Sequence, residues 1–71
     1  MAFRADTDQS VEFLRASCHG ETDRALLIQF ETGEKHWMPK SQIDDASEVY
    51  AEGQVGTFVC TQWIAEQKGL V

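Results

Sequence analysis

Basic residues are scarce in this chain. Six Lys and Arg stand against twelve Asp and Glu, a formal net charge of −6. Nucleic-acid binding draws much of its affinity from phosphate neutralisation, which takes an excess of Lys and Arg. The charge balance therefore disfavours a general grip on DNA or RNA. It suits solubility, or docking onto a basic protein surface.

Long apolar runs are also missing. No stretch approaches the ~20 apolar residues of a membrane-spanning helix. Met1-Ala2-Phe3-Arg4-Ala5-Asp6 has no apolar core of a secretory signal. A cytoplasmic location in a host cell is expected, and with it reduced thiols at Cys18 and Cys60. The soft ligands Cys18, His19, His36 and Cys60 show no Cys-x-x-Cys or His-x-x-x-His spacing. Neighbours such as Cys18 and His19 point to opposite faces of a strand. Neither a zinc site nor another cofactor is expected, and the cysteines read as small core residues. Neither a Gly-x-Ser-x-Gly elbow nor a phosphate loop with its lysine occurs, and so small a domain rarely builds a water-excluding pocket. The chain is read as a non-enzyme.

What remains is a globular composition of 71 residues, 42% of them hydrophobic, enough for one domain. At this size a single core is barely sufficient, so a partner chain, a homodimer included, is one source of stability. Residues 1–10 are polar and read as a flexible leader or a short edge extension, and residues 11–71 as a single small β domain. Strands are expected at Val11–Cys18, Arg24–Glu31, Lys35–Pro39 and Val55–Thr61. His19–Asp23 forms a loop, and Thr32-Gly33-Glu34 a tight turn with glycine at its left-handed position. Pro39, the only proline, has no amide donor, so strand pairing ends there or lies on an edge. Gln62–Lys68 reads as a short helix with Thr61 as N-cap, Gly69 as stop and Leu70 packing back. The fold class is mainly β: a small SH3-like or OB-like barrel, or a curled antiparallel sheet, with a short C-terminal helix.

In the second hairpin, a turn at 32–34 sets Glu31 opposite Lys35, Gln29 opposite Trp37 and Ile28 opposite Met38. One face then holds Leu26, Ile28, Phe30, His36 and Met38, and reads as core. The other holds Leu27, Gln29, Glu31, Lys35 and Trp37. Trp37 and Trp63 have the size of core fillers and both are expected to be largely buried, Trp63 more so. Tryptophan is equally the typical anchor of a binding hot spot.

The segment 41–53 is irregular and acidic. A helical turn capped by Ser41 toward Asp44 is expected in it. Asp44, Asp45, Glu48 and Glu52 occur there without a Lys or Arg. Such a run is most often a solvated loop, and spaced carboxylates can also imitate a phosphate backbone. It follows no calcium-loop pattern. The candidate partner-binding residues are therefore Trp37, Lys40, Ser41 and Gln42, with Asp44, Asp45, Glu48 and Glu52 beside them.

Trp37-Met38-Pro39-Lys40-Ser41-Gln42-Ile43, followed by Trp63-Ile64-Ala65-Glu66-Gln67-Lys68-Gly69-Leu70, resembles a group of short phage and prophage proteins of uncharacterised function. These share a Trp-x-Pro-Lys-Ser block and a Trp-x-Ala helix ending in Gly-Leu. The resemblance spans residues 24–71, with Met38 where isoleucine is expected. It implies a phage or mobile-element origin and supplies no activity. The resulting expectation is a small acidic accessory protein that binds a host or phage protein with a basic surface, inhibiting a host defence or nucleic-acid enzyme. The alternatives are a single-stranded nucleic-acid-associated barrel, suggested by Trp37 near Lys35 and Lys40, and a self-assembling structural module.

Overall fold

A computed structural model describes residues 9–71. The strands are β1 (Ser10–Glu21), β2 (Ala25–Gln29), β3 (Lys35–Pro39) and β4 (Val55–Thr61); helix α1 (Gln62–Gln67) follows β4 directly. They form one open antiparallel sheet of four strands in the order β3-β2-β1-β4. The sheet does not close into a barrel; β3 and β4 are its edges. The leader expected at residues 1–10 lies outside the described residues up to residue 8. Its last residues belong to the domain: Ser10 opens β1, and the Gln9 carbonyl accepts from the Gln62 amide at 3.1 Å. β1 also runs through Glu21, so His19 lies on a strand and not in a loop.

The β2–β3 hairpin keeps the expected faces but not the expected partners. Gln29 pairs with Lys35, Ile28 with His36, Leu27 with Trp37 and Leu26 with Met38. The loop is Glu31-Thr32-Gly33, one residue earlier than expected. The Gly33 amide donates to Phe30 O (2.8 Å), the Phe30 amide donates to Glu34 O (2.8 Å), and Gly33 has φ 95°. This is a three-residue loop ending in a left-handed glycine. The register moves by two residues, an even number, so no side chain changes face. Leu26, Ile28 and Met38 are fully buried and Phe30 nearly so.

A bulge divides β1. Phe13 faces Phe58 and Ala16 faces Gly56, so Leu14 and Arg15 together oppose Thr57. Arg15 takes φ 58°, which costs a non-glycine residue about 1–2 kcal/mol. The bulge resets the alternation, so Val11 and Phe13 before it, and Ala16 and Cys18 after it, all meet the core.

The free edge of β4 is covered by the segment after β3. Ile43 bridges to Cys60. The Asp44 amide donates to Val59 O (2.9 Å), and the Glu48 amide to Thr57 O (2.8 Å). In return the Val59 amide donates to Ser47 Oγ (3.1 Å) and the Thr57 amide to Glu48 Oε1 (2.9 Å). The outward backbone groups of Thr57 and Val59 are thus satisfied by side chains and backbone of one loop, which removes them as a template for another strand. On the opposite edge, β3 carries Lys35 and Pro39, both of which discourage strand addition.

Helix α1 is placed by its ends. Thr61 caps it by accepting from the Ile64 amide (3.3 Å). At the far end the Gly69 amide donates to Glu66 O (3.1 Å) and the Leu70 amide to Ala65 O (2.8 Å), with Gly69 at φ 73°. That paired pattern is a Schellman motif, and it turns Leu70 back onto the core beside Ala65.

Candidate functional site

The two sequence blocks that stood out, Trp37–Ile43 and Trp63–Leu70, meet in space. The link is a relay. The Ile64 amide donates to Thr61 Oγ1 (3.3 Å), and the Thr61 hydroxyl donates to Gln42 Oε1 at 2.7 Å. A 3₁₀ turn at Lys40–Gln42 carries Ser41 to the surface between two open depressions. One, of about 490 Å³, is shared with Asp23, Arg24, Pro39 and Lys40. The other, of about 480 Å³, is shared with Gln42, Thr61 and Trp63. The residues Pro39–Gln42 are therefore a ridge with Trp63 on one flank. The turn begins after Pro39, whose side chain makes no cap bond, so Ser41 lies inside it and is not the expected cap toward Asp44.

Both tryptophans overturn the expectation of burial. Trp63 is 55% exposed and Trp37 is 46% exposed. In α1 the inward positions are taken by Ile64 and Ala65, and at 3.6 residues per turn Trp63 lies about 150° from the middle of that pair and faces outward. Trp37 alternates with the inward His36 and Met38 and lies on the outer face. A β-carbon built on Gly20 would sit 3.4 Å from Trp37 Cη2, so the indole rests over the Gly20 backbone.

Lys40 is not a free cation. Its Nζ donates to Glu21 Oε2 at 2.7 Å, and the other oxygen of Glu21 accepts from the Glu52 amide at 3.1 Å. The Lys40 ammonium first, and the Glu52 amide second, hold the Glu21 carboxyl below its usual range. Glu21 thereby ties the end of β3 to the 50–54 loop.

The acidic stretch does not act as a row of free carboxylates. Asp44 Oδ1 accepts from the Ala46 amide at 2.8 Å, and Glu48 Oε1 holds the Thr57 amide. Asp45 and Glu52 are exposed, and Glu52 contributes its backbone to Glu21. The structure thus brings together Lys40, Ser41, Gln42 and Trp63. It separates them from Trp37 on the outer sheet face, and it uses Asp44 and Glu48 to cover β4.

Two residues were missed by sequence reasoning. Trp63 was assigned to the core, although its place next to two inward helix positions was a signal of exposure. Ser47 gave no signal. Its buried hydroxyl donates to Val49 O (2.8 Å) and accepts from the amides of Val49 (3.2 Å) and Val59 (3.1 Å).

Cys18 and Cys60 are buried free thiols. Cys60 faces Val11 across the sheet, and Cys18 is seven positions further along β1, on the order of 20 Å away, too far for a disulfide. Burial pushes the Cys60 thiol up to about 11, and chiefly burial also raises that of Cys18. Both stay protonated near neutrality and are weak nucleophiles there. Among the described residues, no group of three or more His, Cys, Asp or Glu side chains converges as a metal site, and no helix is long and apolar enough to cross a membrane. Comparison with protein-family profiles, curated protein sequences and solved structures returns no match.

Proposed function

We propose that this chain is a small accessory protein, of phage or mobile-element type, that acts in the host cytoplasm by binding another protein. The contact surface is the Pro39–Gln42 ridge with Trp63. The observation that carries this reading is Trp63 itself: a large apolar side chain, more than half exposed, on a backbone fixed by the Thr61 cap and the Gln42–Thr61 bond. A tryptophan on a backbone fixed in this way loses little backbone freedom when a partner covers it, which is what a binding anchor needs. The net charge of −6, with Asp45 and Glu52 exposed, favours a partner with a basic surface, such as a host defence or nucleic-acid enzyme whose basic groove is then blocked. The Ile43–Cys60 bridge, which brings the chain that follows β3 to the far edge at β4, supports an SH3-like scaffold for this surface.

The test compares proteins retained from host cells by the wild type, Trp63→Ala and Ser41→Arg. A protein enriched by the wild type and lost from both variants is expected. Equal enrichment by all three, or none by the wild type, contradicts the reading.

A second reading is favoured by Trp37, exposed beside Lys35 on the outer sheet face, where a base of single-stranded nucleic acid would stack. Pairing of Lys40 with Glu21 weakens it, since that cation is already engaged. Titration of tryptophan fluorescence with single-stranded DNA at low salt decides it. An unchanged signal there rules it out, because low salt favours phosphate contacts.

A further inference from the structure

At the turn end of the β2–β3 hairpin, on the order of 17 Å along β3 from the ridge, lies a separate cleft of about 470 Å³. This volume is within the roughly 300–1,000 Å³ of ligand pockets. Its floor is apolar, formed by Phe13, Leu14, Phe30 and Leu70. Phe30 is fixed by edge-on contacts with Phe13 (ring centroids 5.0 Å apart) and Phe58 (5.9 Å), so the floor is formed in advance. The β1 bulge presents Leu14 beside it, 61% exposed.

The rim has one sign of charge. Glu12, Glu31 and Glu34 line the cleft and no Lys or Arg does. The side chains that pair with the rim, Arg15 and His36, reach it from outside. Arg15 pairs with Glu31 at 2.6 Å, and His36 Nε2 lies 3.3 Å from Glu34. Glu12 has no ion-pair partner among the described residues. Such a cleft repels phosphates and free carboxylates. It rewards an occupant that sets an apolar side chain on the floor and a cation against the rim, as Arg15 sets its guanidinium against Glu31 from outside the cleft.

We infer that this cleft binds a basic peptide segment of a partner protein, with one leucine-like or aromatic side chain on the Phe13–Phe30 floor and Lys or Arg facing Glu12 and Glu34. The site does not depend on Trp63 or on the ridge.

The experiment is a ¹H–¹⁵N titration of the full chain at low salt with acetyl-Arg-Leu-Lys-Phe-amide. Two controls are acetyl-Glu-Leu-Glu-Phe-amide and acetyl-Arg-Gly-Lys-Gly-amide. The first peptide is expected to shift amides of residues 12–14, 30–34 and 69–70, and the controls are not. Glu12→Gln combined with Glu34→Gln should weaken it roughly tenfold, and Leu14→Ser should also weaken it. All three positions are on the surface, and the remaining spectrum reports that the fold is kept. Trp63→Ala should leave these shifts unchanged, which separates this site from the ridge. No shift at these amides with millimolar peptide, or equal shifts from either control, would overturn the inference.

Discussion

The Thr61 hydroxyl donates to Gln42 Oε1 at 2.7 Å while accepting from the Ile64 amide, so one side chain both caps α1 and anchors the 3₁₀ turn. The helix that displays Trp63 and the ridge that displays Ser41 are therefore positioned by a single residue.

Thr61→Val keeps the shape and removes both bonds. Loss of an N-cap costs about 0.5–2 kcal/mol, and the Gln42 bond adds about 1 kcal/mol. Chemical denaturation should show a loss of roughly 1–3 kcal/mol. Thr61→Ser should recover most of it. Equal stability of the valine variant would mean the relay contributes nothing.

Ser47→Ala should be costly for a conservative change. The Val59 amide, on a buried residue, loses its acceptor, and an orphaned buried donor costs about 1–3 kcal/mol. Hydrogen exchange offers a local check, since the Val59 amide should exchange faster in the variant than its neighbours do. An unaltered rate there would show that Ser47 does not cover the β4 edge.

Gly56→Ala tests the same edge from the other side. A β-carbon at Gly56 would lie 2.6 Å from Glu48 Oε1, and φ there is 154°. The carboxylate must then swing away from the Thr57 amide. A loss of about 1–3 kcal/mol is expected from strain and the broken bond. In the double variant with Glu48→Ala the added alanine should cost less, because the 2.6 Å contact with the carboxylate is gone and only the Glu48 β-carbon at 3.2 Å and the backbone strain remain, and strict additivity would contradict the contact.

Much of the fold was legible in the sequence, and the exceptions have physical causes. Alternation in Leu26, Ile28 and Phe30 marked the core face because burial on one side of a strand writes itself every second residue. The hairpin partners shifted because Gly33 closes a three-residue loop that starts at Glu31, and turn geometry, not hydrophobicity, sets pairing at that level. The β1 face stayed ambiguous because the bulge at Leu14–Arg15 interrupts the period. For the site, Pro39 was legible as the end of strand pairing, whereas the turn that follows it at once, Lys40–Gln42, was expected later, with Ser41 as its cap. The acidic stretch was misleading, because a carboxylate that accepts a backbone amide, as Glu48 does, has the same sequence signature as a solvated one.

Burial of the Cys60 thiol gives a pH dependence. Its folded value is raised to about 11 from an ordinary 9.0. The neutral thiol is thus favoured in the fold. Its contribution is fully present below pH 9 and is lost as pH rises from about 9 to 11. The loss is at most about 2–3 kcal/mol, at 1.36 kcal/mol per unit. Stability of the wild type measured across pH 8–11 should fall more steeply than that of Cys60→Ala. Parallel curves would contradict it. At pH 8 both thiols should react with Ellman's reagent only on unfolding.

The central claim is that the Pro39–Gln42 ridge with Trp63 is where another protein docks. The most direct measurement replaces Ser41 with a photo-crosslinking side chain and irradiates host cells making the protein, with the same group at Gln29 on the outer sheet face as control. A discrete heavier adduct is predicted at position 41, weak or absent at position 29, and lost when Trp63→Ala is added. No adduct at position 41, or an adduct there that survives Trp63→Ala, would contradict the account.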